Sequence, residues 1–294
     1  MASPFVWASG KKGPQRRDST NSNSQDMDET KNIRMVLRYD GTRFHGWQSQ
    51  AEDSTIQDLM EEKIRLILNE PVRLMAAGRT DAGVHALYQV CHFHTRSRLN
   101  PESLRRGLNS LLPPDIFISR AEYVSTDFHS RYSATYKVYE YRILNRPEPD
   151  PFTRYYSWHI PSSLDLPEMN KCLSLLIGEH DFSSFMSSGS SVRSPIRRMM
   201  KAEIRSPGAG LLFFEFQADG FLRHMVRNIV GTVVEAGKGR CDSVKFLEII
   251  QARDRRLAGA KAPAQGLFLK MVYYEGERGF VLGEESASES LTDA

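Results

Sequence analysis

Val72-Arg73-Leu74-Met75-Ala76-Ala77 runs directly into Gly78-Arg79-Thr80-Asp81-Ala82-Gly83, and this junction decides the reading of the chain. The first six residues read as a strand. The next six set a carboxylate between two glycines just past the strand's end. Glycine lets a backbone take tight, positive-φ turns and come close to a ligand. A carboxylate held there, with Arg79 beside it, can stay ionised and act as a nucleophile. The same residues also suit a turn capped by its own aspartate, and spacing alone favours that simpler account.

Strand and helix signals interleave on both sides of this junction. Upstream, Ile33 to Tyr39 alternates as a strand and stops at the turn pair Asp40-Gly41. Ser54 with Gln57 predicts a capping box for a helix bearing Ile56, Met60, Ile64 and Ile67 on one face. Downstream, Tyr88 to His94 predicts a strand. Asn100-Pro101-Glu102 opens a helix that Pro113-Pro114-Asp115 ends, and Ile116-Phe117-Ile118 resumes strand character. A second half begins near Ser133. Thr135 to Leu144 alternates with Tyr139, Tyr141 and Ile143 on one face, and Pro167 to Ile177 predicts a helix. Ser206 to Gly210 predicts a hairpin turn between Met199–Ile204 and Leu211–Gln217. Asp219 is expected to cap an apolar helix from Phe221 to about Val234, and Asp242 another. Leu267 to Tyr274 is the last predicted strand. This order favours an α/β (α+β) fold, a mixed sheet covered by helices.

The 294 residues allow two domains or one large fused one. Hydrophobic residues are 40% and charged residues 26%, enough for a sizeable core and inconsistent with collagen-like or wholly disordered chains. Residues 1–31 and the acidic stretch 281–294 are too poor in apolar residues to offset their ordering entropy and are expected to be disordered. The first of these reads as an extension, an expression-tag remnant or a misplaced start; its aspartates disfavour a transit peptide. The folded region is therefore expected as halves 32–132 and 133–280. Cys91, Cys172 and Cys241 form no disulfide framework and no CxxC, which fits reduced thiols in the cytoplasm. No apolar run approaches the roughly 18 residues of a membrane span.

Lys and Arg total 39 against 36 Asp and Glu, so a nucleic-acid partner must be argued from where the charges sit. Arg223 and Arg227 lie one helical turn apart on an apolar helix, with His224 between them. Such arginines must snorkel or find an anion, a buried Asp or an RNA phosphate. Basic residues cluster at Arg193, Arg197, Arg198, Lys201 and Arg205, at Arg253, Arg255, Arg256 and Lys261, and at Arg96, Arg98, Arg105 and Arg106. They fit either a one-sided surface for a polyanion or ordinary solvated runs. Phe44, Trp47, Tyr136, Tyr139 and Tyr141 could stack bases, though core packing suits most aromatics better. Gly237-Lys238-Gly239 lacks phosphate-loop spacing, there is no GxGxxG after a strand and no GxSxG, and His92 with His94 lacks a further ligand for zinc.

Gly78-Arg79-Thr80-Asp81-Ala82-Gly83-Val84-His85-Ala86 resembles the signature of the TruA family of tRNA pseudouridine synthases. Four further segments agree in order: Tyr39 to Gln48, Phe128 to Thr135, His180 to Phe185 and His224 to Gly231. Gly266-Leu267-Phe268-Leu269 completes the series, and the resemblance spans about 33 to 276. Ser183 departs from the threonine expected of many members. The resemblance implies the pseudouridine synthase fold, two α/β halves with mixed, largely antiparallel sheets joined across a basic central cleft. It implies isomerisation of uridine in the anticodon stem-loop of tRNA, at tRNA positions 38 to 40 in bacterial members, by a homodimer without cofactor or metal. Carried over by motif, Asp81 is the catalytic carboxylate. Tyr139 stacks on the target base and serves as a candidate general base. Arg227 pairs with Asp81, Arg79 helps displace the base, and Leu267 packs near it. The residues do not choose among attack on C1′, addition to C6, stabilisation of an oxocarbenium, or removal of the 2′ proton. A second carboxylate is not evident near Asp81.

Overall fold

A computed structural model describes residues 30–50, 54–189 and 194–276. Nearly all of the two expected disordered ends lies outside these residues. In chain order the elements are β1 (Lys31–Tyr39), α1 (Ile56–Leu68), β2 (Met75–Ala76), β3 (His85–Thr95), α2 (Pro101–Leu111) and β4 (Ile116–Val124). They continue with β5 (Ala134–Asn145), β6 (Trp158–Ile160), α3 (Leu166–Ser174), β7 (Gly178–Asp181), β8 (Ile196–Gly208), β9 (Leu211–Ala218), α4 (Met225–Gly237), α5 (Ser243–Ala252) and β10 (Leu267–Tyr274).

Local chemistry accounts for most boundaries. Asn100 accepts from the Ser103 amide at 2.7 Å and Pro101 occupies the first turn of α2. Asp242 caps α5 through the Lys245 amide at 2.8 Å. The β8–β9 hairpin turns on Gly208, Ala209 and Gly210, all at positive φ. Three expectations shift. The α1 cap is Thr55 rather than Ser54, accepting from the Asp58 amide at 3.2 Å. The strand expected over 72–77 shrinks to Met75–Ala76. And α4 starts at Met225 rather than Phe221, because Asp219 accepts from the Arg198 amide instead of capping a helix.

Among the described residues ten strands form one sheet in the order β4-β1-β3-β10-β5-β9-β8-β7, with β2 added to β3 and β6 to β5. The pairing is antiparallel except for β5–β6 and β10–β3. The last strand thus sits mid-sheet, joining β3 of the first half to β5 of the second. Its seam with β3 is short, Phe268 opposite His85 and Leu269 opposite Ala86. The His85 ring stacks on Phe268 at 4.7 Å, and its Nδ1 accepts from the Gly41 amide at 3.1 Å. On α1, Ile56, Met60 and Ile64 are buried at i, i+4, i+8, each contributing roughly 1.5–3 kcal/mol. Helix α4 is buried on nearly every side. Among the described residues no helix is long and apolar enough to cross a membrane.

His92 on β3 is fully buried and its Nδ1 accepts from the Ser130 amide at 3.2 Å. Burial, then the neighbouring His129 and His94, lowers its pKa to about 4. The unfolded chain takes up this proton near pH 6.5 and the folded chain only near 4. Stability is therefore complete above 6.5 and declines as pH falls towards 4. His92→Gln is expected to remove about 2 kcal/mol of that decline, measured by thermal unfolding across the window. An unchanged slope assigns the acid sensitivity to other groups.

Candidate active site at the sheet seam

The segment Gly78–Val84 emerges beside the β3–β10 seam and is interlocked with the turn after β1. The Trp47 amide donates to the Thr80 carbonyl at 3.1 Å and the Gly83 amide to the Phe44 carbonyl at 3.2 Å. Gly46 has φ +89°, and a Cβ there would lie 2.5 Å from the Thr80 oxygen, so only glycine permits this approach. Gly83 has φ +76° and closes the turn that carries Asp81. From beneath, Gln89 donates to the Gly78 carbonyl at 2.8 Å, and the Tyr39 hydroxyl meets Thr80 Oγ1 at 2.8 Å. Asp81 therefore stands on a rigid loop.

Its partners come from the other half of the sheet. Arg227, in the first turn of α4, donates from Nη1 to Asp81 Oδ2 at 2.8 Å and from Nε to the Ala262 carbonyl at 2.8 Å. The guanidinium is buried, whereas the Asp81 side chain stays 30% exposed. His224 approaches the second oxygen, Nε2 to Oδ1 at 3.4 Å. It adopts φ +61°, a left-handed backbone unusual outside glycine, at the start of α4. Burial, reinforced by Lys261, Arg227 and Arg223 and opposed by Asp81, lowers its pKa. The ring is thus neutral at pH 7 and available to donate to Asp81.

Tyr139 of β5 lies on the same wall. A Cβ at Gly78 would be 3.7 Å from its hydroxyl, and Phe221 packs edge-on against its ring at 4.8 Å. Burial raises the phenol's pKa, and the charges of Tyr39 and Asp81 add to this. Leu267 is buried one register step away, opposite Tyr141, while Leu269 stands opposite Tyr139 itself. Arg79 is exposed on the loop and makes no ion pair among the described residues.

Asp81, Arg227 and Tyr139 thus converge, Leu267 stands opposite Tyr141 on the neighbouring strand, and Arg79 is exposed on the loop of Asp81. Sequence reasoning noted His224 but gave it no role, since its strained backbone leaves no trace in spacing. The other aromatics are Phe44, Trp47 and Tyr141, all buried in the core, and Tyr136, stacked on Tyr273 at 4.3 Å. The basic clusters divide. Lys201 and Arg205 are engaged by Glu215, Arg105 by Glu102 and Arg256 by Asp254. Arg193 lies outside the described residues. Among the described residues no group of three or more His, Cys, Asp or Glu side chains is placed to hold a metal ion.

A family model described as tRNA pseudouridine synthase matches residues 35–133 and 173–275. The chain is 44% identical over 244 residues to tRNA pseudouridine synthase A of Thermoanaerobacter sp. (strain X514), covering 83% of this chain and 100% of the relative. It is 45% identical over 250 residues to the protein of that name from Geobacillus kaustophilus (strain HTA426), covering 84% and 96%. With that of Bdellovibrio bacteriovorus (strain ATCC 15356 / DSM 50701 / NCIMB 9529 / HD100) the identity is 42% over 250 residues, covering 83% and 95%.

Proposed function

Since the chain belongs to the tRNA pseudouridine synthase family, we propose that it isomerises uridine to pseudouridine in tRNA, with Asp81 engaging the target nucleotide. The observation that carries this reading is the Arg227–Asp81 contact at 2.8 Å across the seam, with Tyr139 on the adjoining wall. The C1′–N1 bond breaks, the uracil turns, and a C5–C1′ bond forms. A proton leaves C5 and one is gained at N1. Nothing is oxidised and no external group enters, so side chains suffice.

Asp81 is the proposed nucleophile, whether at C1′ or at C6; stabilisation of an oxocarbenium and removal of the 2′ proton are the remaining routes. All four need one carboxylate that is fixed yet reachable. Arg227 fixes Oδ2, and the partial exposure of Asp81 leaves it accessible. Tyr139 is read as a neutral phenol at pH 7, which suits stacking and hydrogen bonding better than a phenolate base. Tyr139 and Leu267 would exclude water from the detached sugar, which otherwise hydrolyses. Arg79 would help take the base from its stack, a step costing a few kcal/mol.

The same reading assigns residues 32–132 as the half carrying Asp81 and 133–280 as the half supplying Tyr139 and Arg227. It includes the anticodon stem-loop as target, a cytoplasmic homodimer, and no cofactor or metal. Incubating the purified chain with unmodified tRNA transcripts, without added cofactor, is expected to yield pseudouridine at tRNA positions 38 to 40 by site-resolved detection. Modification only elsewhere would keep the chemistry and replace the target. No pseudouridine at all overturns the proposal.

A further inference from the structure

Lys137 stands two residues before Tyr139 on β5, so both side chains leave the same face, about 7 Å apart along the strand. Register extends this face sideways. Lys137 is opposite Ala218 of β9, and Ala218 is opposite Met199 of β8. Arg197, two residues before Met199, therefore projects to the same side. The bulge between Met199 and Lys201 turns Lys201 and Arg205 to the other face, where Glu215 engages them. Arg197 lies under the loop that holds Phe221: its Nε is 3.1 Å from where a Cβ at Gly220 would be. Arg131, in the segment entering β5, is close enough to act electrostatically on both Lys137 and Arg197.

Among the described residues none of these three cations forms an ion pair, although Asp219 exerts some attraction on Arg197. Arg197 spends Nη1 on the Ser194 and Ile196 carbonyls, at 2.9 and 2.5 Å. Burial, then Arg131 and Arg197, lowers the pKa of Lys137 to about 8. Packing cations together without an anion is costly, and folding alone gives no reason for it. Beside them Tyr132 is 77% exposed, its ring against His129 at 4.4 Å and under Arg131 at 5.7 Å. Unpaired cations beside an exposed aromatic ring are the pairing that holds single-stranded RNA.

We propose that Lys137, Arg131 and Arg197 bind a backbone phosphate of the tRNA strand next to the target uridine, while Tyr132 stacks on an unpaired base of that strand. This rests on the synthase reading for the identity of the RNA. A strand whose uridine reaches Asp81 past Tyr139 runs on over Lys137, because the two lie on one strand face. The site is separate from the Asp81–Arg227 pair and takes no part in bond breaking.

The test measures binding of an unmodified tRNA transcript across salt concentrations, with single-turnover conversion measured at saturating RNA. Lys137→Met is expected to weaken binding several-fold at about 0.1 M salt and to reduce the slope of log affinity against log salt by about 0.7–0.9. Its conversion rate at saturation stays within about twofold of the unsubstituted chain. Lys137→Arg retains the slope. Tyr132→Ala weakens binding about fivefold or more with the slope unchanged. Lys137→Met is also expected to unfold at the same temperature or higher, since it removes an unpaired cation, so weakened binding cannot be attributed to misfolding. An unchanged slope and affinity in Lys137→Met overturns the phosphate site, as does a lower unfolding temperature with unchanged binding. Failure of the unsubstituted chain to make pseudouridine overturns the synthase reading instead, because binding is measured independently.

Discussion

Asp81→Asn is expected to bind tRNA and to form pseudouridine at least ~10⁴-fold more slowly than the unsubstituted chain. Asparagine has nearly the same shape and keeps an oxygen that can accept from Arg227, so the loop held by Gln89 and Trp47 stays in place. What disappears is the charge, and with it the capacity to attack carbon or take a proton. Single-turnover conversion of a tRNA transcript, with binding measured in parallel, checks this. Turnover near the unsubstituted rate removes Asp81 from the chemistry. A moderate stability loss of roughly 1–3 kcal/mol should accompany the change, because buried Arg227 loses its counter-charge.

The second large effect is expected at Arg227. Arg227→Met keeps much of the side chain's apolar length inside α4 while deleting the donors to Asp81 Oδ2 and the Ala262 carbonyl. Asp81 then keeps its contact with His224, at 3.4 Å. Conversion is expected to fall ~10²–10³-fold, the usual loss when one fixed donor to a reacting group is removed. On the proposed reading Arg227 acts through Asp81, so the losses should not add. The double variant Asp81→Asn with Arg227→Met should be about as slow as Asp81→Asn alone. Multiplying losses would mean that Arg227 touches the substrate independently of Asp81. An unchanged single-variant rate would reduce Arg227 to a structural contact.

Much of this molecule is written locally. Asn100-Pro101 and Asp242 cap their helices as spacing predicts, and Leu267–Tyr274 is a strand with the expected bounds. One departure has a long-range cause, a carboxylate placed to cap the nearest helix but engaged by a distant amide. This is Asp219, drawn 21 residues back to Arg198. The basic cluster around Arg197 was legible as charge but not as geometry. A single β-bulge decides which of its members face the Tyr139 wall and which meet Glu215. His224 was visible as a residue and invisible as a neighbour of Asp81, since its left-handed backbone follows from the loop it closes.

The amino-acid order alone determined the alternation of elements, the glycine-framed carboxylate and the resemblance that named its partners. These depend on periodicity, capping and residue chemistry acting over a few positions. Only the tertiary structure decided that β10, the last strand, inserts between β3 and β5 and closes both halves into one sheet. That insertion brings Arg227 to Asp81 across 146 residues of chain. No local preference encodes a contact at that separation. It arises because β10 pairs on one side with β3 and on the other with β5, opposite Tyr139 and Tyr141, so that the strands from both parts of the chain share one sheet.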